Sequence, residues 1–337
     1  MGSELTGEAY WLPVVFIGLM ALAFLVYAVL DGYDLGVGIL LPPDSEERRD
    51  AMIASIGPFW DANETWLVLA VGILLIAFPT AHGLILGELY LPVAAMLAGL
   101  ILRGVAFDFR AKAPVDHKAH WDLAFKAGSL LASAAQGYML GLYVMGFAEG
   151  PAAIGFALLS AVCVTAGYSF IGAAWLVMKS EGELQWRAVR WARISLWCTA
   201  VGIVAVSVVN PLVVPGVFEK WLAFPQVILL APVPVVTAAL VIGTDRYLAG
   251  CPWPGDRGCW IPFVAGVAVF VLCFQGLAYS FYPWVVPGRM SIWEAASAPA
   301  SLKFILVGAV IVLPAIIGYT AFAYRVFWGK STELSYD

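Results

Sequence analysis

Long apolar runs separated by short polar stretches make up most of the chain. Charge-free runs recur at Tyr10–Leu30, Thr65–Gly87, Ala127–Ala148, Gly150–Met178, Ile194–Phe218, Leu222–Thr244, Ile261–Tyr282 and Phe304–Tyr324. A shorter run, Leu89–Leu102, continues through Arg103 to Phe107. A bilayer-spanning helix needs about 20 predominantly apolar residues, so the pattern predicts about nine spans. Helices are expected because an open sheet edge would leave backbone polar groups unsatisfied in lipid. The predicted fold is therefore all-α and polytopic, one integral membrane domain over residues 1–337. The connections near Thr244–Trp260 and Pro283–Lys303 are too short to hold a soluble domain. Pro225, Pro232 and Pro234 are expected to kink the seventh span.

Composition agrees with the pattern. Of 337 residues, 62% are hydrophobic and only 12% charged, too few to keep a chain of this size in aqueous solution. The net charge of −5, with no basic run, carries no nucleic-acid signal. The first apolar run is too long, and lacks the basic start, for a cleavable signal peptide. Three of the five cysteines lie inside apolar runs, and Cys251 and Cys259 share a loop at a spacing that matches no zinc or redox motif.

Charge in the connections sets an orientation. Arg48 and Arg49 follow the first span, and Arg110, Lys112 and Lys118 the third. Lys179, Arg187, Arg190 and Arg193 follow the fifth, Arg246 and Arg257 the seventh, and Arg325 and Lys330 the ninth. The intervening loops hold little beyond Lys220, Arg289 and Lys303. By the positive-inside rule the odd-numbered exits are cytoplasmic, which puts the N-terminus outside and the C-terminus inside.

That orientation gathers the intramembrane acids. Asp31 and Asp34 close the first span, Asp61 and Glu64 open the second about 15 Å beyond Asp50 along a continuous helix, and Arg103 and Asp108 end the third. Each acid pair is spaced i, i+3 and shares a helix face. Gly32, Gly36 and Gly38 permit close helix approach, and Trp60 and Trp66 bracket the second pair. Carboxylates at membrane depth are costly and by default mark an ion or proton route. The plainer reading is structural: Arg103 locks the helices by pairing with an acid, and Asp31 bonds the backbone of a glycine-rich bend.

Other chemistry is sparse. The three histidines, His82 near an outer loop and His117 and His120 in a cytoplasmic one, offer no pair facing across helices for haem. No phosphate loop or nucleophile elbow is present. The residues fit either a transporter or the proton-supplying subunit of a larger membrane enzyme.

Several motifs resemble one family. Leu30-Asp-Gly-Tyr-Asp-Leu-Gly-Val-Gly38, Ser55-Ile-Gly-Pro-Phe-Trp-Asp-Ala-Asn-Glu-Thr-Trp66, Arg103-Gly-Val-Ala-Phe-Asp-Phe-Arg110 and Met290-Ser-Ile-Trp-Glu-Ala-Ala-Ser297 resemble subunit II of cytochrome bd-type quinol oxidases. The likeness runs from roughly Ala9 to Lys330. It implies two four-helix bundles plus one helix in a bacterial inner membrane. It also implies a chain without haem, beside a subunit I that carries haem b, haem d and the quinol site. A structural quinone and a small single-span subunit belong to the same expectation. By position, Asp34 and Asp61 match family residues implicated in proton conduction, and Asp31, Arg103 and Asp108 match other recurring positions. Glu64 stands where some members carry an amide, and Glu294 where an aspartate is common. The rival reading is a proton-coupled transporter working alone.

Overall fold

A computed structural model describes residues 7–331 apart from 113 and 215. The elements are helices α1 (Glu8–Ile39), α2 (Glu46–Ile56), α3 (Trp60–Ala77), α4 (Pro79–Lys112), α5 (Val115–Val144), α6 (Pro151–Lys179) and α7 (Gly182–Val213). They continue as α8 (Val217–Leu222), α9 (Gln226–Leu230), α10 (Pro232–Ala249) and α11 (Ile261–Phe281). A small hairpin, β1 (Trp284–Val286) and β2 (Met290–Ser291), leads to α12 (Ile292–Ala295) and α13 (Pro299–Val326). Among the described residues, eight helical segments are long and apolar enough to cross a membrane: α1, α3, α4, α6, α7, α9 with α10, α11 and α13. The 30-residue α5 packs between α4 and α6 and supplies the ninth long helix of the described chain.

Two boundaries differ from the apolar pattern. The second span does not run on from Asp50. Gly57 and Pro58 end α2, because proline has no N–H to donate and biases the residue before it away from helix. Asp61 therefore sits in the first turn of α3, not about 15 Å along a continuous helix. The break between the second and third spans falls at Phe78-Pro79 rather than beside Glu88. Glu88 is tolerated inside α4 because Arg289 pairs with it at 2.8 Å, and His82 lies in the first turns of α4 rather than in a loop. The seventh span is bent, as expected: Ala231 keeps helical dihedrals between α9 and α10 where Pro232 and Pro234 enter, Pro225 precedes α9, and the two form one crossing segment.

Packing sorts the long helices into α1, α3, α4 and α5 on one side and α6, α7, α10 and α11 on the other. α1 and α5 both pack on α6 and join the two groups, while α13 lies outside them against α1. Small residues set the closest approaches. A Cβ on Gly172 of α6 would stand 2.6 Å from the Val37 nitrogen of α1, and one on Gly128 of α5 would stand 2.8 Å from the Arg103 nitrogen of α4. Both contacts lie beside the acids.

Near the junction, Trp175 is buried and stacks on Tyr33 with ring centroids 4.2 Å apart. Phe59 and Phe263 meet Trp175 edge-on. α13 is the least covered span, with 6% of its most apolar window buried.

Candidate functional site

Asp31 and Asp34 lie in the continuous buried stretch Asp31–Gly38 of α1, and each is fully enclosed. Arg103 arrives from α4 at 1% exposure, brought close by the Gly99–Gly128 contact between α4 and α5. Its Nη1 lies 2.8 Å from Asp31 Oδ1, and its Nη2 donates to Glu64 Oε1 of α3. The Trp60 ring covers the guanidinium at 5.9 Å. Glu64 is 33% exposed on its side chain, so one end of this acid–guanidinium–acid chain is sealed and the other opens to the surface.

A second group adjoins it. Asn63 of α3, also fully buried, donates through Nδ2 to Asp34 Oδ2 at 2.8 Å and to the Tyr33 hydroxyl at 2.9 Å. Tyr33 and Tyr324 of α13 share a hydrogen bond of 2.6 Å, and the Tyr324 hydroxyl donates to Asn63 Oδ1 at 3.4 Å. The remaining oxygen of Asp34, both oxygens of Asp31 and the Arg103 Nε have no hydrogen-bond partner among the described side chains. Buried polar atoms of this kind are costly unless a mobile proton or water serves them. Two carboxylates thus contact one guanidinium, and a third, Asp34, lies one helical turn from Asp31.

The predicted residues thus separate. Asp31, Arg103 and Glu64 are in contact, and Asp34 joins them through its place one turn along α1 and through Asn63. Asp61 and Asp108 do not enter the cluster; both are exposed, on α3 and α4, within Coulombic reach of each other. The shared face of Asp61 and Glu64 therefore leads from the surface to Arg103.

Sequence reasoning missed the neutral members. Asn63 lies between the two acids of a quoted motif, and an amide in that position is a visible signal. Tyr33 and Tyr324 are 291 residues apart, and nothing local announces their contact. It also missed Asp122 of α5, which is buried between Arg49, 2.6 Å away, and Arg110, whose Nη1 reaches Asp50 at 2.6 Å. This layer closes the end of the α1, α2, α4 and α5 group below the acids.

Among the described residues, no three His, Cys, Asp or Glu side chains stand together as a metal site. His117 and His120 lie within the first turns of α5 with ring centroids 6.2 Å apart, and His82 is on a different helix. Outside the spans, the Arg187 guanidinium beside Asp44 holds that carboxyl below its ordinary value, and the Gln185 amide and Lys330 do the same for Asp256.

Known proteins share this architecture. The bd oxidase of Geobacillus thermodenitrificans matches the fold with a TM-score of 0.74 over 94% of this chain and 98% of that one, at 16% identity. The cytochrome bd-I ubiquinol oxidase subunit 2 of Escherichia coli strain K12 is 28% identical, covering 96% of this chain and 94% of its own. The cytochrome bd ubiquinol oxidase subunit 2 of Bacillus subtilis strain 168 is 27% identical, covering 92% and 94%. The family model described as cytochrome bd terminal oxidase subunit II matches residues 12–327, nearly the whole described chain, and this chain belongs to that family.

Proposed function

We propose that this chain is the haem-free second subunit of a bd-type quinol oxidase in a bacterial inner membrane. In this reading it braces a haem-bearing subunit I and supplies a proton path from the cytoplasm for the reduction of oxygen to water. The observation that carries the proposal is the buried Asp31–Arg103–Glu64 chain, with Asp34 beside it and one end open. Intramembrane acids that pair with one another and reach a surface are the usual form of a proton relay.

The direction of the path follows from exposure. Asp108 and Asp61 on the surface of α4 and α3 receive protons from the cytoplasmic side. Glu64 passes them inward to Asp34, past an Arg103 that stays charged and is held in place by Asp31, and outward delivery to the partner uses the same open flank. Arg49, Arg110 and Asp122 close the axial route, because a guanidinium stays charged and does not relay. The flank itself is apolar. Leu102, Val105 and Phe109 on α4 and Ile311, Val312 and Tyr319 on α13 are exposed, the surface expected of a face that another membrane subunit covers.

A groove of about 480 Å³ between α3 and α13 continues that face and is lined by Ala62, Thr65, Ile316 and Thr320 among others. In this reading it receives an apolar element of the partner, a structural quinone tail, or a small single-span subunit. In this reading the haems belong to subunit I. The proton supply is the chain's own chemistry.

Optical redox spectra test the assignment. The affinity-purified chain should bring with it a second polypeptide with haem b and haem d bands, and the bands should be absent from the chain on its own. A colourless single subunit with substrate-driven proton flux would instead support the transporter.

A further inference from the structure

The acid cluster has an arm that leads away from the open flank. Tyr27 stands one turn before Asp31 on α1, and both are buried on the same helix face. Gln136 of α5 donates through Nε2 to the Tyr27 oxygen at 2.8 Å. The Tyr168 hydroxyl of α6 donates to Gln136 Oε1 at 2.7 Å. Both tyrosines are 4% exposed, so water does not compete for these bonds.

The direction of the arm matters. A carboxamide accepts at one end and donates at the other. Tyr168 occupies the acceptor end, and the donor end faces Tyr27, so the Tyr27 proton is not spent on Gln136. One turn on along the same buried face are the Asp31 oxygens, which have ion-pair contact with Arg103 but no hydrogen-bond geometry to a described side chain. A donor with an uncommitted proton therefore adjoins acceptors with unfilled capacity.

We propose that Gln136 is a positioning residue of the proton site, an inference that rests on the proton-supply reading above. Gln136 turns the Tyr27 hydroxyl toward Asp31, and Tyr27 then holds the Asp31 carboxylate against Arg103 in one geometry. Asp31 is the fixed member of the cluster, and the travelling proton is handled by Glu64 and Asp34. An amide suits position 136 because a carboxylate accepts at both ends. It would draw the Tyr27 proton to itself and away from Asp31, with almost no change in volume.

Gln136→Glu therefore tests direction rather than packing. The readout is quinol-driven oxygen consumption by the two-subunit complex, normalised to its haem content. Gln136→Glu and Tyr27→Phe should each lower kcat about tenfold, with the KM for quinol unchanged. The double variant should be no slower than Tyr27→Phe alone, because both changes withdraw the same hydrogen bond. If Gln136→Glu fails to assemble, Gln136→Met removes the same donor without adding charge and reads the same coupling. A wild-type rate in the Gln136 variant, or losses that multiply in the double, would overturn the inference. Glu64→Gln separates the two levels: if it is slowed while the Gln136 variant is not, only the positioning role falls. If Glu64→Gln also runs at the wild-type rate, the proton-supply reading falls with it.

Discussion

Arg103 is the residue on which the site depends. It is buried, contacts Asp31 and Glu64, and has no redundant cation among the side chains it touches. Removing one partner of a buried ion pair leaves uncompensated charge and costs about 3–5 kcal/mol. Arg103→Leu should therefore lower the thermal midpoint of the purified complex by several degrees. Arg103→Lys should recover only part of the loss, because a single ammonium does not span two carboxylates as a planar fork does. Thermal unfolding followed by tryptophan fluorescence checks both. A midpoint unchanged in Arg103→Leu would mean that the pair adds nothing to the packing of α1, α3 and α4. At this scale the sequence was partly legible. The acids and Arg103 could be read because charge is rare in apolar runs. Their grouping could not, since the i, i+3 rule joins Asp61 with Glu64 but does not show that only Glu64 reaches the guanidinium. Tyr27, Gln136 and Tyr168 are ordinary polar residues in spans until three helices bring them together.

At the scale of elements, α13 is held by its two ends. At one end Ser297 bonds the Ile76 and Ala77 carbonyls and Lys303 pairs with Glu8 at 2.5 Å. At the other, Lys179 Nζ donates to the Phe327 carbonyl at 2.6 Å, Ser331 N donates to the Lys179 carbonyl at 2.9 Å, and Lys330 pairs with Asp256 at 3.1 Å. The last contact is sensitive to acid. The Gln185 amide and Lys330 depress the Asp256 carboxyl, so its contribution is fully present above the ordinary carboxylate value and fades as pH falls through the lowered one. Amide hydrogen exchange of residues 327–331 should therefore accelerate below about pH 4. Asp256→Asn should show that faster exchange at neutral pH and lose the acid-dependent step. The α1–α6 contact gives a second test. Gly172→Leu places a side chain where the Gly36 and Val37 backbone stands, and overpacking of this kind costs about 1–3 kcal/mol. Less assembled complex and a lower thermal midpoint should follow; a normal yield and midpoint would show that α1 and α6 tolerate separation. The helices themselves were legible from apolar run length. Their boundaries were not, because Pro79 starts a helix inside a run that hydropathy reads as continuous, Pro58 breaks the helix ahead of the second run, and the Glu88–Arg289 pair hides a charge that the pattern takes for a loop.

On the scale of the whole molecule, two four-helix groups share α1 and α5 as a hinge line with α6, and the acid site lies on that line. The arrangement explains why the site opens sideways. The axial end is closed by Arg49, Asp122 and Arg110, and the inner side by Trp175 and its aromatic neighbours. What remains is the flank of α3, α4 and α13, where Glu64 emerges beside Asp61 and Asp108. A subunit that passes protons to a partner needs such a lateral opening, whereas a transporter working alone needs access from both faces of the membrane. Composition and span count announced a polytopic chain. The lateral opening was invisible in one dimension, because it depends on which faces of three helices remain uncovered.

Oxygen consumption by the intact two-subunit complex tests the central claim most directly. Asp34→Asn and Glu64→Gln are compared with the unaltered complex at equal haem content and saturating quinol. The account predicts that each variant assembles and keeps its haem spectrum while its turnover falls about tenfold or more, the scale of losing a positioned proton-transfer group. Turnover at the unaltered rate in both would contradict it and leave the buried acids as structural ties.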